Sequence, residues 1–117
     1  LSKDGFHFSK ADLSSFQDPE LAFRKRGAPF TFDAVGIIEL LTFLRSAPIT
    51  QFDESDKGIW IPSFDHAVQD PVKDSIFISS ADRIVIVEGN YLLLDEPPWN
   101  KIASLVDEKS DPEALQK

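Results

Sequence analysis

The sequence predicts an α/β domain, a parallel sheet flanked by helices. Three observations carry that expectation. Residues 84–87, Ile-Val-Ile-Val, form an unbroken β-branched run. Because the run does not alternate with polar residues, it fits a central parallel strand covered on both faces. Residues 33–46 place apolar side chains at helical spacing. The length, 117 residues, suits one domain and is too short for two.

The elements follow in chain order. Segment 9–26 reads as helical, with Asp18-Pro19-Glu20 supplying a cap, a Pro at the first helical position and an acid in the first turn. Arg24-Lys25-Arg26 then falls in the last turn, where cations suit the helix dipole, and Gly27 terminates it. Asp33 is placed to cap the next helix. In that helix Val35, Ile38, Leu41 and Leu44 form a stripe that Ile37, Leu40 and Phe43 widen, so much of its circumference should be buried. Pro48 stops it, and Asp53 to Lys57 reads as an acidic loop. Ile59-Trp60-Ile61 is a short strand ended by Pro62, followed by a polar loop over 62–74 and a second short strand over 75–78. After the 84–87 strand, Pro97-Pro98 open a helix running to about Val106, with Trp99, Ile102, Leu105 and Val106 on its apolar side.

Composition narrows the function. Hydrophobic residues make 42% of the chain and charged residues 27%, which is a globular balance and not that of a disordered chain. No apolar run reaches the roughly 18 residues of a membrane-spanning helix, so no membrane is expected. The absence of Cys excludes disulfides, Cys-ligated zinc and thiol catalysis, and fits a reducing, cytoplasmic setting. Twelve basic and twenty acidic residues leave a net charge of −8, which repels phosphates, so nucleic acid is not an expected partner. The opening Leu1-Ser2-Lys3 runs straight into a loop motif, and the end from Lys109 is polar. The expectation is an internal piece of a longer domain, with residues 1–117 an incomplete domain and 107–117 a frayed tail. A small complete protein with frayed ends is the alternative.

Four stretches carry candidate chemistry. Glu88 ends the β-branched strand, where ligands of open α/β sheets collect, and Gly89 lets the backbone turn beside it. A carboxylate there is either paired, hydrogen-bonded or metal-bound, or it simply marks where the strand emerges into water. Asp4-Gly5-Phe6-His7 is either a base and a substrate ligand on one loop or an ordinary Asp-Gly turn. Phe64-Asp65-His66 is either an aromatic wall with two hydrogen-bonding neighbours, suited to a small polar metabolite, or a turn with a plugging Phe. A metal site from His7 and His66 has no specifying spacing. Arg24-Lys25-Arg26 reads as a helix end before it reads as a phosphate site. None of the five glycines begins or completes G-x-x-x-x-G-K-S/T, so the phosphate-cradling nest and its Lys are absent from these 117 residues.

In this order the motifs resemble the phosphoribulokinase/uridine kinase family of P-loop kinases. The residues that carry the resemblance are Asp4 to His7, Arg24 to Asp33 through Gly27-Ala28-Pro29, Ile61 to His66, and Ile84 to Tyr91 through Glu88-Gly89. The resemblance is to its uridine kinase-like and pantothenate kinase-like nucleoside/nucleotide kinases and runs from Asp4 to about Trp99. It implies a partial P-loop NTPase fold, a middle stretch of the domain that lacks the Walker A loop and the arginine-bearing lid. It implies transfer of the ATP γ-phosphoryl group to a hydroxyl of a small metabolite, nucleoside-like or pantothenate-like, with ATP and Mg²⁺ as cofactors. By position, Asp4 matches the catalytic base and a metal neighbour, Glu88 the Mg²⁺ carboxylate, and His7, Phe64, Asp65 and His66 the acceptor pocket. His7 replaces the Tyr common in uridine kinases, and Gly27 stands near where their sugar-contacting Asp aligns, so uridine itself is disfavoured as acceptor. The alternative is a non-catalytic pseudo-kinase or an acidic interaction module. The residues imply no oligomeric state.

Overall fold

The structure, a computed structural model, describes residues 1–46, 57–82 and 84–105. The stop at Pro48, the acidic loop from Asp53 to Asp56, Val106 and the tail lie outside the described residues.

The chain opens with a 3₁₀ turn at Lys3–Phe6, followed by α1 (Lys10–Ser14), α2 (Pro19–Arg24) and α3 (Ala34–Ser46). A hairpin of β1 (Gly58–Asp65) and β2 (Asp70–Ser79) comes next, and a 3₁₀ turn at Trp99–Lys101 closes the described part.

The single helix expected over 9–26 is two short ones. Ser14 Oγ donates to the Lys10 carbonyl at 2.7 Å and Ser15 Oγ to the Asp12 carbonyl at 2.7 Å, so side chains take up the carbonyls that a continuing helix needs. Pro19 then pushes Asp18 out of the helical region, to φ −124° and ψ 83°. Asp18 restarts the chain as the α2 cap, accepting from the Leu21 amide at 3.1 Å, with Pro19 in the first turn as expected. Gly27, at φ +102°, ends that region in a conformation that favours glycine.

Asp33 caps α3 through its carboxylate, which accepts from the Gly36 amide at 3.0 Å. The helix buries a narrower face than its sequence suggests. Ala34, Ile37, Leu40 and Leu41 are buried, whereas Val35 and Phe43 are more than half exposed. The buried stripe meets Phe6, Phe32, Ile61, Ile78, Trp99 and Ile102 in one core. Each fully buried aliphatic side chain there contributes about 1.5–3 kcal/mol.

The hairpin corrects the expected polar loop over 62–74. Ile59, Trp60 and Ile61 pair antiparallel with Ile78, Phe77 and Ile76, and pairing resumes from Ser63 opposite Val72 to Asp65 opposite Asp70. Pro62 does not end the strand. It lacks an amide donor, and the register shifts at that point instead.

Residues 84–87 are not the covered interior strand that their β-branched run predicts. They are extended beside the first residues of the chain, with one parallel bridge between Ser2 and Glu88. The Glu88 amide donates to Leu1 and the Lys3 amide to Glu88, each at 2.9 Å. Ile84 and Ile86 remain 82% and 75% exposed. A β-branched run is covered only when strands flank it and helices lie over it; among the described residues its strand neighbour is Leu1–Lys3 alone. The expected helix after Pro97-Pro98 is a 3₁₀ turn continued by turns to Leu105, and it still buries Trp99 and Ile102. No helix among the described residues is long and apolar enough to cross a membrane.

Candidate active site

The site begins with a close approach of two backbones. A Cβ on Gly5 would collide with the Pro62 carbonyl, so the Asp4–His7 turn packs directly on β1 only because residue 5 is Gly. Ser2 caps this turn by accepting from the Asp4 amide at 3.2 Å. The strand-like stretch after it pairs with residues 31–33: Phe8 donates to Thr31 at 2.9 Å and Asp33 to Phe6 at 2.7 Å. Phe32 thereby lies beside His7.

His7 sits in an aromatic stack. Its ring centroid is 4.2 Å from Phe32 and 4.3 Å from Phe64, and His66 meets the other side of the Phe64 ring edge-on at 5.0 Å. His7 Nδ1 lies 2.7 Å from the Asp4 carbonyl. A carbonyl only accepts, so Nδ1 is assigned the proton and Nε2 is left as an acceptor in the neutral ring. Burial lowers the His7 pKa below 6.5, against the opposing pull of the Asp4 carbonyl bond and carboxylate, while the Arg26 and Lys3 charges add to the lowering.

Asp4 is half-buried at the mouth of the turn, and Glu88 is exposed at the end of the extended segment. Between them stands a residue that the sequence reading passed over. Lys3 is fully buried. Its ammonium donates to Asn90 Oδ1 and lies 3.4 Å from the Phe32 ring centroid and 4.8 Å from that of Tyr91. Burial lowers its pKa, and the carboxylates of Asp4 and Glu88 oppose the shift. Nothing in the sequence around Lys3 marks it as buried, because its aromatic and amide partners lie 29 and 87 residues away, at Phe32 and Asn90.

The remaining expected residues divide. Phe64 and His66 reach the stack. The exposed Asp65 carboxylate is engaged in its own turn, where Oδ1 accepts from the Ala67 amide at 2.9 Å. Arg26, weighed as a phosphate ligand, forms an ion pair with Asp70 at 3.2 Å and lies 5.7 Å over the Phe64 ring. The two histidines are separated by the Phe64 ring, and no group of three or more metal-ligating side chains exists among the described residues. Asp4 and Glu88 are two carboxylates that act on one buried ammonium. Two carboxylates are the number Mg²⁺ commonly takes from a protein when phosphates and waters complete its octahedron, so the donor set fits that ion. The larger cavities lie elsewhere: one of about 460 Å³ beside Val87, Gly89, Tyr91 and Ile102, and one of about 320 Å³ beside Phe8, Phe32 and Trp99.

Comparison with known proteins gives a consistent result. No family model matches the chain. It is 42% identical over 105 residues to the ATP-dependent kinase-like protein notR' of Aspergillus versicolor, covering 90% of this chain and 59% of that protein. It is 43% identical over 110 residues to C227.14 of Schizosaccharomyces pombe, named as a candidate uridine kinase, covering 94% of this chain and 44% of the other. The crystal structure of YFH7 from Saccharomyces cerevisiae, described as a candidate P-loop-containing kinase with a circular permutation, superposes with a TM-score of 0.79 at 34% identity. That superposition covers 90% of this chain and 36% of YFH7. The chain thus spans about half the length of the curated relatives it matches, or less. Sequence and fold agree, and the chain belongs to the uridine kinase-like P-loop kinases.

Proposed function

We propose that this chain forms the acceptor-side part of an ATP-dependent kinase that phosphorylates a hydroxyl of a small metabolite. The observation that supports it most is the meeting of Asp4, His7 and Phe64, drawn from the first turn and the hairpin, with Glu88 on the neighbouring extended segment. The relatives named as ATP-dependent and uridine kinases point the same way.

In this reading Asp4 accepts the acceptor's hydroxyl proton as that oxygen bonds to the γ-phosphorus and the bond to ADP breaks. Neutral His7 accepts a hydrogen bond at Nε2 from a donor group of the acceptor, Phe64 supplies an apolar wall, and His66 borders it. Asp65 shapes the turn that presents His66, with its second carboxylate oxygen left toward the acceptor side. Asp4 and Glu88 would hold Mg²⁺, which when bound neutralises charge on the transferred phosphoryl oxygens. The cysteine-free composition suits a cytoplasmic enzyme. One observation favours a second reading for the chain by itself, a non-catalytic role: no G-x-x-x-x-G-K-S/T occurs in these 117 residues.

The test is a graft. The 105 matched residues replace their counterparts in the Aspergillus relative, and ADP release is measured over a panel of nucleosides, sugars and pantothenate-like alcohols. Acceptor-dependent turnover is expected, and Asp4→Asn should lower it about a hundredfold or more, the scale of a positioned base. A graft that is inert where its parent turns over, or Asp4→Asn with parental turnover, overturns the proposal.

A further inference from the structure

Phe64 reaches His7 only if the hairpin is held against the first half of the chain. The β-ladder alone does not do this, because β1 and β2 pair with each other and with no other strand among the described residues. Asp70, the first residue of β2, faces Asp65 at the hairpin's tip. Its Oδ1 accepts from the Lys10 amide at 2.9 Å and from Arg26 Nη2 at 3.2 Å. One carboxylate oxygen therefore joins the hairpin to the start of α1 and to the segment after α2. The same Arg26 Nη2 lies 3.4 Å from the Phe8 carbonyl, and the guanidinium carbon lies 5.7 Å over the Phe64 ring. Lys10 adds a second tie, from its ammonium to the Val68 carbonyl at 2.7 Å.

We infer that Asp70 is a positioning residue: it clamps the hairpin through Lys10 and Arg26 and so seats Phe64 and His66 against His7. The functional meaning of the clamp rests on the acceptor-site reading above; the geometry does not. Arg26 has a double part in it. It is ion-paired to Asp70 and also covers the face of Phe64, so breaking the pair frees both the hairpin tip and the ring. Charge assistance strengthens the Arg26 bond, and the Lys10 amide, an otherwise orphan donor of the first helical turn, gains a partner.

The experiment uses the full 117-residue chain, isotope-labelled, and reads the nuclear Overhauser contact between the Phe64 ring and His7 Hε1. Wild type should show it. Asp70→Ala should lose it, while the amide resonances of α3 stay in place. Asp70→Asn should restore most of it, since a carboxamide oxygen still accepts from both donors. Lys10→Pro is the second variant. Pro is tolerated at the first helical position, Ser9 before it is already extended at φ −67° and ψ 162°, and the substitution removes the amide donor. It should weaken the contact, and it carries the test if Asp70→Ala does not fold. A contact of wild-type intensity in Asp70→Ala, or in Lys10→Pro, overturns the inference. Loss of the contact in Asp70→Asn equal to that in Asp70→Ala, with the fold intact, also overturns it, because a shared acceptor oxygen would then not be what matters. These readings need no turnover, so the clamp and the kinase reading can fail separately.

Discussion

Lys3→Met tests the energetics of the site most directly. The ammonium is fully buried, with Asn90 as its hydrogen-bond acceptor and the Phe32 ring 3.4 Å away. Methionine has a similar length and shape and carries no charge. Removing the charge relieves a desolvation penalty of several kcal/mol. It also removes one charged hydrogen bond, worth about 1.5–3 kcal/mol, and a desolvated cation–π contact worth about 2 kcal/mol. Asn90 is exposed, so its oxygen turns to water when the ammonium goes. Burial is the largest influence on Lys3, outweighing Asp4 and Glu88, so the balance favours the neutral side chain. The expected gain is about 1–2 kcal/mol, in the lower part of the range for replacing buried charges by apolar groups. For a chain of this size that raises Tm by about 5–10 °C. The pH dependence has a definite sign. The native pKa lies below the ordinary 10.5, so between the two values the unfolded state binds more protons and wild-type stability rises with pH. Below the native pKa the penalty is constant, and above 10.5 it is gone. Urea melts from neutral to alkaline pH should show this rise in wild type and not in Lys3→Met. A Lys3→Met protein less stable than wild type at pH 7 would refute the reasoning and make the ammonium a net stabiliser.

Three further outcomes follow from the same geometry. The chain on its own should bind Mg-ATP negligibly, because it contains no phosphate-cradling motif, and a specific micromolar site in calorimetry would contradict this. Gly89→Ala should destabilise by about 1–3 kcal/mol: residue 89 has φ +148°, and a Cβ there would lie 2.6 Å from Lys3 Cβ. A thermal melt equal to wild type would show that the turn relaxes at no cost. Asp33→Ala should cost about 1 kcal/mol by removing the α3 cap, with Asp33→Ser recovering most of it in chemical denaturation.

Local chemistry was legible in the sequence wherever the determining partners lie within a few residues. The Asp18-Pro19 start, the Gly27 stop, the Asp33 cap and the helix to Ser46 each depend on neighbours three or four positions away. The motif order also located Asp4, His7, Phe64 and Glu88 as one constellation. Tertiary structure decided what depends on distant partners. The 84–87 run has the composition of a buried strand, but burial requires neighbours, and here Leu1–Lys3 flank one edge while Ile84 and Ile86 face outward. Pro62 has the composition of a strand end, but a strand tolerates a missing amide where its register shifts. Lys3 reads as a surface residue, and only the convergence of Phe32, Asn90 and Tyr91 buries it. Asp70 and Arg26 read as a turn residue and a helix end, and the pairing of one with the other, 44 residues apart, is a property of the folded chain alone.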